Sequence, residues 1–313
     1  MSVFEILAPI ILMITVGYFT VSIGAFSKNF VTECSKFVMY VALPALIVIN
    51  VSTIDLSQAI SLNYLLVYGS TGLAAMAFGF VASRALLNNN HQRSAMNSLG
   101  CALSNSAFVG IPVVIQVFED TTAQAFVMCF LIENILLIPL AFMIIEVTNN
   151  RTGQSKKQIY LKSVSKLIKN PLIIAVTIGL AINISGLVLP GVIDVTLVMV
   201  SKASMALALF VIGGSLVGAK LHANISRSIL VCGTKLVFCP IIALLLTMIF
   251  PLEKELQMAV VLFSAMPMLS IYPVIGGQYD DGVFCSSTLL ITTVLSGVTL
   301  SVILYANQLA MSV

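Results

Sequence analysis

The sequence predicts an all-α polytopic membrane protein: ten transmembrane helices in two inverted five-helix repeats, with helices 4 and 9 broken near their middles. The first observation behind this class is composition, because 59% of the 313 residues are apolar and 9% are charged, against about 25% charged residues in soluble domains. The second is a mean hydropathy of +1.09, and the third is a series of long apolar runs. These observations exclude a soluble enzyme and a disordered chain. The net charge of +3 gives no reason to expect nucleic acid as a partner.

Ten apolar runs have roughly the 20 residues that a helix needs to cross a bilayer. We number them as spans 1 to 10 in chain order, with membrane lipid as their surroundings. The spans are 4–24, 33–53, 62–83, 94–118, 122–146, 171–189, 194–219, 227–250, 254–279 and 282–308. Because the number of spans is even, both termini lie on one side of the membrane.

The basic residues predict which side that is. Twelve of them lie in or beside the loops that follow spans 1, 3, 5 and 7. They are Lys28, Lys36, Arg84, Arg93, Arg151, Lys156, Lys157, Lys162, Lys166, Lys169, Lys220 and Arg227. The positive-inside rule makes these loops cytoplasmic and places both termini outside the cytoplasm.

A basic linker, 148–170, separates two halves of five spans each, 1–147 and 171–313. Because five is an odd number, the second half must enter the membrane from the opposite side. Inverted repeats of this kind are typical of secondary transporters. The domain organisation therefore predicts transport rather than a purely structural role.

The two halves also match in sequence. The segment PIILMITVG at 9–17 aligns with PLIIAVTIG at 171–179, and Ile-Pro-Val at 111–113 aligns with Tyr-Pro-Val at 272–274. The offset between the halves is nearly constant along the chain. The pairs therefore support an internal repeat.

Spans 4 and 9 carry helix-breaking residues at corresponding positions, which is where such transporters bind substrate. Proline removes a backbone donor, and we expect Pro112 and Pro273 to begin new half-helices whose free N–H groups attract an anion. The predicted substrate-binding residues are Asn105, Ser106, Gly110, Pro112, Pro267, Ser270, Pro273 and the span-5 residue Asn134. The alternative is a pair of kinked helices without a ligand.

Three charged residues lie deep inside spans, away from the span ends. Four interpretations of Glu133 in span 5 compete. It could couple transport to protons, form a polar wall of the substrate cavity, pair with a buried lysine, or serve the structure alone. Lys202 and Lys235 support charge within the protein or extend their ammonium groups to the membrane surface. Asp280 and Asp281 are expected to be solvated loop charges.

Motifs for other protein classes are missing from the sequence. There is no H-E-x-x-H, G-x-S-x-G or Walker A motif, so we predict no enzyme activity, no catalytic residues, no metal site and no cofactor. A channel would show charged rings or a repeated filter loop, and a receptor would carry a signalling domain.

The sequence resembles the auxin efflux carrier family, which includes plant auxin exporters and bacterial malonate-type carriers. The most specific match is NSAFVGIP at 105–112, which looks like the crossover of that family. Further matches are Leu-Pro-Ala-Leu at 43–46, Asn-Pro-Leu-Ile at 170–173, ALFVIGGSL at 208–216, and Lys235-Leu236 with Pro240. The resemblance covers nearly the whole chain. The linker 148–170 is shorter than the loop of the plant exporters and favours a bacterial inner-membrane member.

The resemblance implies a scaffold of spans 1, 2, 6 and 7 that forms a homodimer, and a transport domain of spans 3–5 and 8–10. Spans 4 and 9 would cross at the substrate, and Lys235 would support charge in the transport domain. The expected activity is elevator-like secondary transport of small carboxylates such as malonate or malate. The proton is the first candidate for the coupling ion, with Glu133 as its carrier. The alternatives are a sodium-coupled symporter and a passive uniporter or channel for another small solute.

Overall fold

A computed structural model of the protein describes residues 3–53, 60–118, 121–148, 169–218 and 224–312. These residues are almost entirely helical, and they contain no β-strand beyond one isolated bridge. The predicted all-α class is therefore confirmed. The linker predicted at 148–170 falls almost entirely outside the described residues.

The helices follow the predicted spans closely. In chain order they are α1 (Val3–Ser22), α2 (Lys28–Thr53), α3 (Leu62–Leu87), α4 (His91–Ala102), α5 (Ile111–Val114), α6 (Ala123–Thr148), α7 (Pro171–Ser185), α8 (Gly191–Ser215), α9 (Ile225–Ile249), α10 (Lys254–Ser264), α11 (Tyr272–Gly277) and α12 (Gly282–Ser312). Within the described ranges, six of these helices are long and apolar enough to cross a membrane: α2, α3, α6, α8, α9 and α12. The chain is thus a membrane protein with several spans, and the total of ten stays a prediction.

A widened, π-helical turn that ends two residues before a proline occurs four times among the described residues: within α2, α6 and α9, and directly before α5. The turns are Val38–Ala42 before Pro44, Ser106–Gly110 before Pro112, Glu133–Leu137 before Pro139, and Thr234–Phe238 before Pro240. Proline has no N–H to continue the α-helical ladder. In three of the turns, the residue before the proline donates its N–H to the carbonyl five residues earlier. The extra residue lets the helix pass the proline without ending.

This wide turn corrects one expectation for span 4. The sequence predicts that a new half-helix begins at Pro112, but helical structure resumes at Ser106 and continues through the proline. In span 9 the expectation holds, because Pro273 lies in the first turn of α11. We call residues 103–105 the first break and residues 265–271 the second break.

The described helices group into two compact units. Unit 1 comprises residues 1–61, 107–127 and 166–218. Within it, α1 and α8 approach closely because each has a glycine at the contact. A side chain at Gly17 would collide with the backbone carbonyl of Phe210, and one at Gly213 with that of Ile14. Small residues at such contacts are typical of helix packing in membranes.

Unit 2 comprises residues 62–106, 128–165 and 219–313. At one end, the Asn63 side chain in α3 donates to the carbonyl of Pro251, 2.9 Å away, in the connection between α9 and α10. At the other end, Gln92 at the start of α4 donates to the carbonyl of Tyr279, 3.1 Å away, just after α11. The start of α3 therefore lies at the same end of unit 2 as the α9–α10 connection, and the start of α4 lies at the same end as the α11–α12 connection.

A buried ion pair lies at the second of these ends. Arg227 at the start of α9 is 3% exposed and donates to both carboxylate oxygens of Asp281, at 3.0 and 2.6 Å. Its guanidinium also donates to Asn97 in α4 at 2.8 Å and lies 3.7 Å from the ring centroid of Phe284. The prediction that Asp281 is a solvated loop charge is therefore wrong, because the fold brings it against an arginine 54 residues away.

Candidate functional site

The two breaks of unit 2 pair with each other. The backbone N–H of Asn105 donates to the carbonyl of Pro267 at 2.8 Å, and Ser104 forms an antiparallel bridge with Met268. Backbone outside a helix is tolerated at membrane depth only where its polar groups find partners or line a polar cavity. Each break therefore supplies hydrogen-bond partners for the other.

The side chain of Asn105 strengthens this junction. It is buried, and its Nδ2 donates to Ser270 Oγ at 2.6 Å, which links the end of the first break to the second break. The Ser270 side chain is exposed. The junction is consequently reachable from outside unit 2 at this point.

Lys235, in the wide turn of α9, binds the first break and the end of α10 that precedes the second break. It is 1% exposed, and its Nζ donates to Ser104 Oγ at 2.6 Å and to the carbonyl of Ser264, the last residue of α10, at 3.1 Å. The ammonium group does not extend to the membrane surface. A buried positive charge is thus held where the two breaks meet.

Glu133 approaches the first break from the other side. It is 4% exposed and is the first residue of the wide turn in α6. One carboxylate oxygen accepts from the hydroxyl of Tyr68 in α3 at 2.6 Å, and the other accepts from the hydroxyl of Ser106. One helical turn earlier on both helices, Tyr64 contacts the thiol of Cys129 at 3.1 Å. Two tyrosine contacts therefore fix α3 against α6.

The resulting site holds one acidic side chain, Glu133, and one basic side chain, Lys235, which form no ion pair with each other. The ion pairs found among the described residues are Lys36–Glu33 and Arg227–Asp281. Glu133 and Lys235 instead contact two serine hydroxyls, Ser106 directly after the first break and Ser104 within it. Such an arrangement can offer a positive charge to an anion and a carboxylate to a proton. Within the described ranges, no group of three or more His, Cys, Asp or Glu side chains is placed to hold a metal ion.

The other predicted site residues are distributed between the units. In unit 2, Pro267 lies in the second break, and the Asn134 side chain donates to the carbonyl of Phe130 in its own helix at 2.9 Å. Gly110 and Pro112 belong to unit 1 and are buried. Lys202 also belongs to unit 1, and its side chain is exposed. The junction thus unites Asn105, Ser106, Pro267, Ser270, Glu133 and Lys235.

Three residues of the junction were not predicted: Tyr68, Ser104 and the carbonyl of Ser264. Only Tyr68 left a signal, because Tyr64 and Tyr68 stand four residues apart in an apolar span and a buried phenol needs a polar partner. A separate polar cavity of 130 Å³ opens elsewhere in unit 2, beside Arg93, Tyr279 and Asp280. Its lining does not include the break residues.

Comparisons with known proteins agree with this picture. The family model described as "Membrane transport protein" matches residues 2–304. The protein named "Uncharacterized transporter YfdV" of Escherichia coli strain K12 is 24% identical over 266 residues, which cover 83% of each chain. The protein named "Putative malonate transporter" of Rhizobium meliloti strain 1021 is 24% identical over 304 residues, which cover 95% of this chain and 93% of that protein.

Proposed function

Because the chain belongs to the membrane transport protein family, which includes the auxin efflux carriers, we propose that it is a secondary carrier of small organic carboxylates. The observation that carries this proposal is the junction of the two breaks, with Lys235 and Glu133 attached to it. A buried ammonium group can neutralise a carboxylate that leaves water. The family membership and the buried charges together favour transport over enzyme chemistry.

Malonate is our first substrate candidate, with malate second. The proposal rests on the printed name of the Rhizobium meliloti relative, which spans nearly the whole chain, and on the small, polar character of the junction. Asn105, Ser106 and Ser270 supply hydrogen-bonding groups for the substrate. Lys235 supplies its counterion, and Glu133 carries the coupling proton.

The transport cycle that we propose is elevator-like. Spans 3–5 and 8–10 move with the substrate, while spans 1, 2, 6 and 7 form a homodimeric scaffold in the bacterial inner membrane. Support comes from the resemblance of the sequence to the auxin efflux carriers. Import and export are both compatible with this cycle, since the gradients set the direction.

We also propose ten spans in two inverted repeats, with both termini outside the cytoplasm. The distribution of basic residues supports this topology. A reporter enzyme that is active only outside the cytoplasm, fused to the C-terminus, should be active. Activity of a cytoplasm-specific reporter at the same position would contradict the topology.

Substrate binding is best tested by thermal stabilisation of the purified protein. The panel contains malonate, malate and monocarboxylates, with malonamide as a neutral control, at two pH values and with or without sodium. A ligand at 100 times its Kd should stabilise the protein by about 2.7 kcal/mol. Stabilisation by malonamide alone, or by none of the carboxylates, would contradict the proposal. A shift that requires sodium would favour sodium coupling over proton coupling.

Replacing Asn105 by alanine tests the site itself. The Asn105→Ala variant loses the amide that joins the two breaks, so we expect carboxylate affinity to fall by about tenfold or more, or about 1.4 kcal/mol. Asn63→Ala is the matched control, because its amide bonds a backbone carbonyl at one end of unit 2 instead. Equal affinities in the two variants would remove the binding-site assignment.

A further inference from the structure

The charges of unit 2 suggest which form of the substrate is carried. Arg227 and Asp281 neutralise each other by direct contact. Glu133 and Lys235 are also buried but are not paired with each other or with another described residue. The net charge of the junction is therefore set by Glu133 and Lys235, and a bound anion would change it.

The surroundings of Glu133 identify it as the proton acceptor of the junction. The ionisable groups near it are Tyr64, Tyr68, Cys129 and Lys235. The two tyrosines and the cysteine are neutral at physiological pH, and Lys235 is the single cation among the four. Tyr68 and Ser106 donate to Glu133 when it is ionised. Their hydroxyl hydrogens can rotate, so that one of these oxygens accepts from the carboxylic acid instead.

Charge balance then limits what can travel. With both groups ionised, the empty junction has no net charge. A monoanion that binds beside Lys235 adds one negative charge, and a proton taken up by Glu133 removes it. A dianion would leave one negative charge even after that proton is bound. A net charge at membrane depth is costly, so the neutral combination is favoured.

We propose that the substrate becomes the direct counterion of Lys235, so that one carboxylate monoanion is carried together with one proton held on Glu133. A dicarboxylic acid is then carried as its half-protonated form. In the binding step, a hydronium ion of the solvent gives one proton to the Glu133 carboxylate and is left as water, so that one O–H bond forms and one breaks. The inference rests on the proposed function and adds the charge of the substrate and the number of protons.

The test uses the full-length protein in liposomes with two labelled probes, malonate and its monomethyl ester. The ester is a monoanion at every pH of interest, whereas malonate becomes one only on protonation. We expect uptake of the ester to reach about tenfold accumulation for each unit of pH difference and to ignore an imposed potassium-diffusion potential. Malonate uptake should rise more steeply than ester uptake as the external pH falls.

Two matched variants locate the proton. Glu133→Gln should abolish accumulation driven by the pH gradient and make ester uptake respond to the membrane potential. Glu146→Gln is the control, because Glu146 lies in the same helix and also accepts from a tyrosine, Tyr279, at 2.8 Å. It should behave as the wild type.

A measurement on the wild type covers the case in which Glu133→Gln does not fold. Calorimetric titration with the ester in two buffers of different ionisation enthalpy should show about one proton taken up per ester bound. Three results would each overturn the inference while carboxylate transport stands. They are the uptake of no proton on ester binding, proton-driven uptake that also responds to the membrane potential, and unchanged proton coupling in Glu133→Gln. No uptake and no stabilisation by any carboxylate would overturn the proposed function, and this inference with it.

Discussion

Unit 2 holds two sets of opposite buried charges, and they are built differently. Arg227 and Asp281 meet in a two-pronged contact, which Asn97 and the ring of Phe284 complete. Glu133 and Lys235 contact different serines, Ser106 directly after the first break and Ser104 within it. The first set is satisfied by itself, and the second depends on hydroxyl groups.

This difference distinguishes a charge pair that stabilises the fold from two charges that can exchange partners when a substrate binds. A directly paired arginine and aspartate gain little from a third charge, because all of their strong partners are present. A lysine and a glutamate held apart by serines keep the capacity to exchange partners. We therefore expect changes to the Arg227 pair to affect folding, and changes at the junction to affect binding and transport.

The largest effect on stability is expected for Arg227→Leu. It leaves Asp281, whose side chain is 12% exposed, without its cation, and removing one partner of a buried pair costs about 3–5 kcal/mol. Chemical unfolding of the solubilised protein would measure this loss. The double variant Arg227→Leu with Asp281→Leu should recover a large part of it. A loss below about 1 kcal/mol in the single variant would mean that the pair is not structural.

Lys235→Met should reduce substrate affinity more than stability. It removes the donor to Ser104 and to the Ser264 carbonyl, at about 1–3 kcal/mol for the unsatisfied groups, together with the counterion of the substrate. We expect affinity for carboxylates to fall by about tenfold or more in a thermal-shift titration. Lys36→Met is the control, since Lys36 forms an exposed pair with Glu33 that contributes at most about 1 kcal/mol. Unchanged affinity in Lys235→Met would place Lys235 with the structural charges.

The smallest effect is expected for Tyr68→Phe compared with Tyr64→Phe. Tyr68 donates to a carboxylate and Tyr64 meets a thiol, which is a weak hydrogen-bonding partner. Tyr68→Phe should therefore cost about 1–2 kcal/mol of unfolding free energy, and Tyr64→Phe less. The same unfolding measurement compares them. A larger loss for Tyr64→Phe would contradict the role of Tyr68 in holding Glu133.

The sequence predicted those features that follow from a local residue type, without a distant partner. Pro112 and Pro273 indicated two interrupted spans, and the apolar runs located the long helices. Pro112 nevertheless gave the wrong starting point for its half-helix, because a wide turn at Ser106–Gly110 precedes the proline. Hydropathy does not distinguish a kink from a turn that accommodates one additional residue.

Side-chain partnerships were beyond the sequence because they join distant residues. Lys235 and Ser104 are 131 positions apart, and Tyr68 and Glu133 are 65 apart. A serine or tyrosine inside an apolar span has no marker that tells which helix it will face. Asp281 was misassigned for the same reason, since its arginine comes from another helix.

The wide turns also preserve the angular phase of the helices. An α-helix turns by about 100° per residue, but a wide turn takes up its additional residue within one turn, because the closing N–H reaches the carbonyl five residues earlier. The segments on its two sides therefore keep the relative orientation of an ordinary helix that is one residue shorter. Glu133 and Lys235 lie within such turns. Deleting one residue of such a turn other than Glu133 or Lys235 should restore an ordinary α-helix and leave the faces on both sides in place. A deletion elsewhere in the same helix would rotate the following segment by about 100°. These two helices should therefore tolerate a single-residue deletion better within the wide turn than outside it.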